Sequence, residues 1–183
     1  MRGPLLSGAV GSAVTLRGLS EMVRAHPPVV VIRSPWLGLT LSSEVTVIGL
    51  LPREALGAAR RRQRRKNGAA PSSLFALAGT ALPLAPACAG ALVVPDLAEV
   101  PPAELVALLL QLAEVVRPEG LFVGVDRTKD PAVEARLAGA LLAAGYSGIV
   151  QGRPREGALL TQGRPPPAVV RQVLAESAPA AAS

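Results

Sequence analysis

Gly90-Ala91-Leu92-Val93-Val94-Pro95-Asp96, the run from Pro102 to Val116, and Leu121-Phe122-Val123-Gly124-Val125-Asp126 decide the fold between them. The first piece is apolar at every position from Ala91 to Val94. A strand with no polar alternation must be covered on both faces, which suits a parallel sheet flanked by helices. In the second piece Leu105, Leu108, Leu109, Leu112 and Val116 recur at helical spacing behind Pro102, a residue suited to a first turn. Arg117-Pro118-Glu119-Gly120 reads as a breaker, and the third piece is again a strand, ending at Asp126.

The same alternation extends outward. Toward the N-terminus, Leu16–His26 reads as a helix stopped by Pro27-Pro28, followed by the β-branched strand Val29–Ile32. Val45–Ile48 is a second strand bounded by Gly49. Pro52 is then placed in the first turn of a helix from Arg53 to Lys66, closed by Asn67-Gly68, and Leu74–Leu77 is a weaker strand. Toward the C-terminus, Pro131–Ala144 is a helix with Gly145 at its cap. Ile149-Val150 and Ala158–Thr161 pair as a closing hairpin, and Pro165-Pro166-Pro167 introduces a short last helix. Strands alternating with helices give βαβ units and a mostly parallel sheet. The expected organisation is an extension over 1–16, one domain over 17–176 and a tail over 177–183.

Composition narrows the chemistry. The 183 residues are 50% hydrophobic but only 2% aromatic, so the core is built from Ala, Leu and Val. A single cysteine, Cys88, excludes an internal disulfide framework and a cysteine-based zinc site. A single histidine, His26, excludes a histidine-rich metal centre, and no metal is expected. The first residues lack the continuous apolar run of a signal peptide. Residues 67–95 carry no charge, but Pro71, Pro83, Pro86 and Pro95 cut them into pieces too short to span ~30 Å of hydrocarbon. A cytoplasmic location without membrane contact is expected.

The net charge of +6 is unevenly placed: residues 1–95 hold 11 of the 19 Lys/Arg and 3 of the 13 Asp/Glu. Six basic residues crowd one stretch, Arg60, Arg61, Arg62, Arg64, Arg65 and Lys66. They wrap more than half of a helix, so they cannot share one face. The readings are a solvated helix end favoured by the dipole, an acidic protein partner, or salt-sensitive phosphate contacts with nucleic acid. The interleaved aromatics of a stacking platform are absent.

Taken in order, several segments resemble a known family. Leu82-Pro83-Leu84, Gly90 to Pro101, and Leu112-Ala113-Glu114-Val115-Val116-Arg117-Pro118-Glu119-Gly120-Leu121-Phe122-Val123 resemble the second half of a class I S-adenosylmethionine-dependent methyltransferase. There an acid, a helix, an "RPGG" turn and a strand join the fourth and fifth strands. Leu141-Leu142-Ala143-Ala144-Gly145-Tyr146 is similar to the family's "L…AGF" segment, and Gly49-Leu50-Leu51-Pro52-Arg53-Glu54-Ala55-Leu56 to its "GVDPREAL". The resemblance covers residues 19 to 163. It implies an α/β, three-layer Rossmann-like sandwich on a mostly parallel seven-stranded sheet, with a two-stranded antiparallel closure at its carboxyl end.

The departures from that pattern concern the cofactor. The glycine-rich loop after the first strand is replaced by Arg33-Ser34-Pro35-Trp36-Leu37-Gly38, where only Gly38 keeps the bare backbone. The ribose-binding acid maps to Leu51, which cannot accept a hydrogen bond. The acid after the third strand maps to Thr80, beside Gly79. A charged hydrogen bond contributes roughly 1.5–3 kcal/mol, so two lost acids cost about a hundredfold or more in affinity. The resemblance with these losses implies a pseudo-methyltransferase: no catalytic residue, no cofactor, and a scaffold or adaptor role through a protein partner meeting Trp36 or the basic run. The alternatives are an active methyltransferase using S-adenosylmethionine at an atypical site, and a basic nucleic-acid-associated protein. Asp96 and Glu99 sit where the family often places substrate-facing residues. Read from the residues alone they are a solvated helix start, and Asp126 is read the same way.

Overall fold

Among the residues described by the computed structural model (13–32, 47–52, 57, 60, 61, 73–77, 84–153 and 158–177) seven strands form one sheet. They are β1 (Val29–Ile32), β2 (Val47–Pro52), β3 (Ser73–Leu77), β4 (Ala89–Pro95), β5 (Val116–Asp126), β6 (Ser147–Gly152) and β7 (Leu159–Arg164). Their order is β3-β2-β1-β4-β5-β7-β6. β1 to β5 run parallel, and β7 is antiparallel to both β5 and β6. The expected seven-stranded, mostly parallel sheet with an antiparallel closure is the one observed. The helices are α1 (Ala13–Val23), α2 (Pro102–Val115), α3 (Pro131–Ala143) and α4 (Ala168–Ser177), with a 3-10 turn over Leu97–Glu99.

All seven residues of β4 are buried, as an unbroken apolar run requires. The pleat sends alternate side chains to opposite faces. Ala91 and Val93 join Val29, Val31, Val123 and Val125 against Leu19 and Val23 of α1. Leu92 and Val94 join Val30, Ile32 and Phe122 against Leu105, Leu109 and Leu112 of α2 and Leu137 and Leu141 of α3. Burying each such leucine stabilises the fold by about 1.5–3 kcal/mol. The helices on the two faces make the three layers. The second face also holds an aromatic pair: Phe122 and Tyr146 meet edge to face, with ring centroids 5.2 Å apart. The Tyr146 hydroxyl donates to the Leu109 carbonyl at 3.0 Å, which ties the start of β6 to the middle of α2.

α3 begins as its sequence dictates. Pro131 occupies its first turn and Asp130 caps it, the side chain accepting from the Ala132 N–H at 2.9 Å. Two expectations are corrected. β2 extends to Pro52, so this proline ends a strand rather than opening a helix; a strand's last residue can lack an N–H without breaking the ladder. Arg117–Gly120 lies within β5 instead of interrupting the chain before it. Its breaking character survives in the pairing, where Ala89 faces Val116 but Ala91 faces Leu121, leaving the exposed Arg117, Pro118 and Glu119 in an irregularity. Of the expected helix over 53–66, the described Gly57, Arg60 and Arg61 are helical and exposed.

The backbone passes closest to itself where β4 enters the sheet. Gly90 donates to the Pro28 carbonyl at 2.9 Å, and a Cβ at Gly90 would lie 2.4 Å from the His26 carbonyl oxygen and 2.5 Å from that of Pro27. Both obstacles are main chain and neither can rotate away. Gly90→Ala should therefore destabilise the protein by about 1–3 kcal/mol, the usual cost of overpacking. Chemical denaturation of the two proteins checks this, and an unchanged midpoint would contradict it.

Candidate functional site

Strand order reverses at β1, with β2 on one side and β4 on the other. In open parallel sheets a ligand crevice lies beyond the carboxyl ends of the strands at such a reversal. The described residues bordering this crevice are Ile32 at the end of β1 and Pro95 and Asp96 at the end of β4.

Asp96 leaves β4 with φ 58° and ψ 36°, the left-handed region. An L-residue there costs roughly 1–2 kcal/mol, and aspartate tolerates it better than most. The turn behind it is well anchored. The Asp96 N–H donates to the Val125 carbonyl at 3.0 Å, and the Ala98 N–H donates to Asp126 Oδ1 at 2.6 Å. From α3, an Arg136 guanidinium nitrogen donates to the Ala98 carbonyl at 2.6 Å. The Asp96 side chain itself makes no capping bond to the turn. Half-buried at the crevice, it has its carboxyl pKa raised by burial and by Glu99, while Arg127 pulls it down.

Asp126 is not the solvated acid read from the sequence. It is fully buried as the last residue of β5, because β7 and the Leu97–Glu99 turn close over it. Burial drives its pKa up to about 6, against the lowering effect of the Ala98 hydrogen bond; the negative charges of Asp96 and Glu99 raise it further and Arg136 lowers it. Among the described residues its second oxygen, Oδ2, has no hydrogen-bond partner, nor has the buried Nε of Arg136. The only hint in the sequence was a strand ending on an acid. Beside it, the buried Thr161 accepts from Gln151 Nε2 at 3.2 Å, and the same amide donates to the Glu134 carbonyl at 3.0 Å, which links β6 and β7 to α3.

Of the other expected site positions, Leu51 lies within β2 opposite Ala76, one residue before the strand's end. Ser34, Trp36, Gly38, Gly79, Thr80, Arg62, Arg64, Arg65 and Lys66 fall outside the described residues. Arg60 and Arg61 are exposed and about 35 residues along the chain from Asp96. Cys88 is half-buried against the core. Among the described residues, no three His, Cys, Asp or Glu side chains are placed to hold a metal ion. No described helix is long and apolar enough to cross a membrane.

No protein-family model matches the sequence, and no curated protein matches it. Solved structures do match its fold. PigF with S-adenosylhomocysteine shares 11% identity over 84% of this chain, with a TM-score of 0.67. Magnesium protoporphyrin IX methyltransferase (ChlM) from Synechocystis PCC 6803 with bound S-adenosylmethionine shares 14% over 82%, with a TM-score of 0.64. Human N-acetylserotonin methyltransferase in complex with S-adenosylmethionine shares 11% over 84%, with a TM-score of 0.65. The chain spans 61%, 77% and 52% of these three proteins respectively. The fold is thus that of the class I methyltransferases. The expectation of no cofactor is corrected by the same structures, each of which holds S-adenosylmethionine or S-adenosylhomocysteine on this fold.

Asp126 makes stability depend on pH in a definite direction. Its folded pKa lies above the ordinary 3.8, so the native state prefers the neutral acid. That stabilisation is complete below pH 4 and is lost as pH rises through 6. Asp126→Asn, neutral throughout, should remove this slope and raise stability at pH 7.5 by about 1–3 kcal/mol. Urea unfolding of both proteins between pH 4 and 8 measures it; parallel curves would contradict the assignment.

Proposed function

We propose that the chain is an S-adenosylmethionine-dependent methyltransferase whose crevice lies beyond the carboxyl ends of β1 and β4. The observation that carries this reading is the fold match over more than four fifths of the chain to structures that hold S-adenosylmethionine or its demethylated product. Two of them are named for small acceptors, magnesium protoporphyrin IX and N-acetylserotonin. A small-molecule oxygen or nitrogen nucleophile is accordingly the acceptor class we infer here. The scaffold reading rested on missing acids and loses ground to this one.

The residues fit the cofactor unevenly. The uncommitted, half-buried Asp96 carboxylate fits a ligand-facing role at the end of β4. Leu51 offers no acceptor for a ribose hydroxyl.

S-adenosylmethionine, when bound, supplies a sulfonium methyl group open to attack by a nucleophile. Asp96 would accept the proton that the acceptor O–H or N–H gives up on methylation. Burial and Glu99 make this carboxylate a better base than a free aspartate. Arg127 keeps it from becoming protonated too readily. The buried β4 and β5 termini fix where that base stands, and positioning of this kind is a large part of what an enzyme contributes.

Calorimetry of S-adenosylhomocysteine with the full chain should give a Kd in the micromolar range. No heat up to millimolar ligand would end this reading. Asp96→Asn should bind S-adenosylhomocysteine as the parent does. It should lose roughly 10²-fold or more of methyl transfer from tritiated S-adenosylmethionine to a panel of phenols, carboxylic acids and amines. Unchanged transfer would remove Asp96 from the mechanism.

A further inference from the structure

Ala98 is held by both of its main-chain polar groups, and by side chains from two different elements. Its N–H donates to Asp126 of β5 and its carbonyl accepts from Arg136 of α3, each at 2.6 Å. Two residues earlier, at the end of β4, Asp96 takes the left-handed conformation, and its half-buried side chain makes no bond to the turn. Below the turn, Leu97 fills the space left by a missing side chain. A Cβ on Gly124 would stand 2.9 Å from Leu97 Cδ1 and 3.6 Å from Asp126 Oδ2.

An ionisable group that is fully buried and leaves one oxygen unpartnered is costly to keep. An asparagine would retain the Ala98 contact without the charge. Groups retained against stability in this way concentrate at functional sites. The charge does strengthen the Ala98 contact, since a hydrogen bond to a carboxylate is roughly twice as strong as one to a neutral acceptor.

We propose that Asp126 and Arg136 are the positioning residues of the acceptor side of the site, clamping Ala98 so that Asp96 is held in its left-handed conformation. The clamp rests on the methyltransferase reading only for what Asp96 then does. The charged groups around Asp126 are Asp96 and Glu99 from the turn and Arg136 from α3, while Thr161 of β7 contributes no charge. Arg127 acts on Asp96. Because the Leu97–Glu99 turn helps to bury Asp126, and burial is what raises its pKa, opening of the turn lets the acid ionise and becomes easier as pH rises. A side chain serving only to hold up the fold would lower Ala98 protection and global stability together.

Amide hydrogen exchange on the full chain separates the two. The Ala98 protection factor in the parent should fall between pH 5 and 7.5 as opening of the turn releases the buried acid. Asp126→Asn should flatten that fall, and Asp126→Ala should lower Ala98 protection at pH 5 by tenfold or more beyond any change in global stability. Arg136→Gln should lower it without removing the pH dependence. In the tritium assay, Asp126→Ala should reduce kcat at least tenfold and leave the S-adenosylhomocysteine Kd unchanged. Ala98 protection that changes only in step with global stability in Asp126→Ala, or that ignores this substitution, overturns the clamp. If the parent binds no S-adenosylhomocysteine, the methyltransferase reading fails, and the exchange data still decide whether the clamp exists.

Discussion

Burial of β4 on both faces is the constraint from which the rest follows. Seven consecutive residues without an exposed side chain need a strand on either side and a helix layer above and below. β1 and β5 are those strands, and α1, α2 and α3 provide the layers. Because neighbouring strands run parallel, each connection must cross the sheet, so all the carboxyl ends gather on one edge. The crevice is the consequence of that edge and of the reversal at β1.

The parts of this arrangement that obey short-range rules were legible in the sequence. Ala91–Val94, the leucines of α2 and the Asp130-Pro131 start of α3 each signal their element through periodicity or capping, and all three are realised. Two errors came from proline. Pro52 was read as opening a helix and Pro118 as part of a breaker ahead of a strand, whereas each sits in a strand at a place where the ladder does not need its N–H. The family pattern carried the order of the strands, which no local signal specifies.

Asp126 shows where reading residues in line fails. An acid after a strand looks like a solvated loop residue, and nothing nearby in sequence says otherwise. Its burial comes from β7, which pairs Leu159 with it from 33 residues further on, and its hydrogen bond comes from a turn 28 residues back. Asp96 is similar: its N–H is tied to the Val125 carbonyl 29 residues further on, and its own side chain makes no capping bond. Long-range contacts therefore place two acids in different surroundings, Asp96 half-buried on a left-handed backbone and Asp126 sealed and accepting from the turn. The fold gives up stability at neutral pH to keep the sealed one charged.

The central claim is that the crevice beyond β1 and β4 holds S-adenosylmethionine with Asp96 at its edge. A crystal structure of the full chain grown with S-adenosylhomocysteine tests this most directly. The account predicts ligand density across the carboxyl ends of β1 and β4, with the Asp96 carboxylate facing the sulfur side of the ligand. Density elsewhere on the surface, or a crevice closed by side chains at saturating ligand, would contradict it.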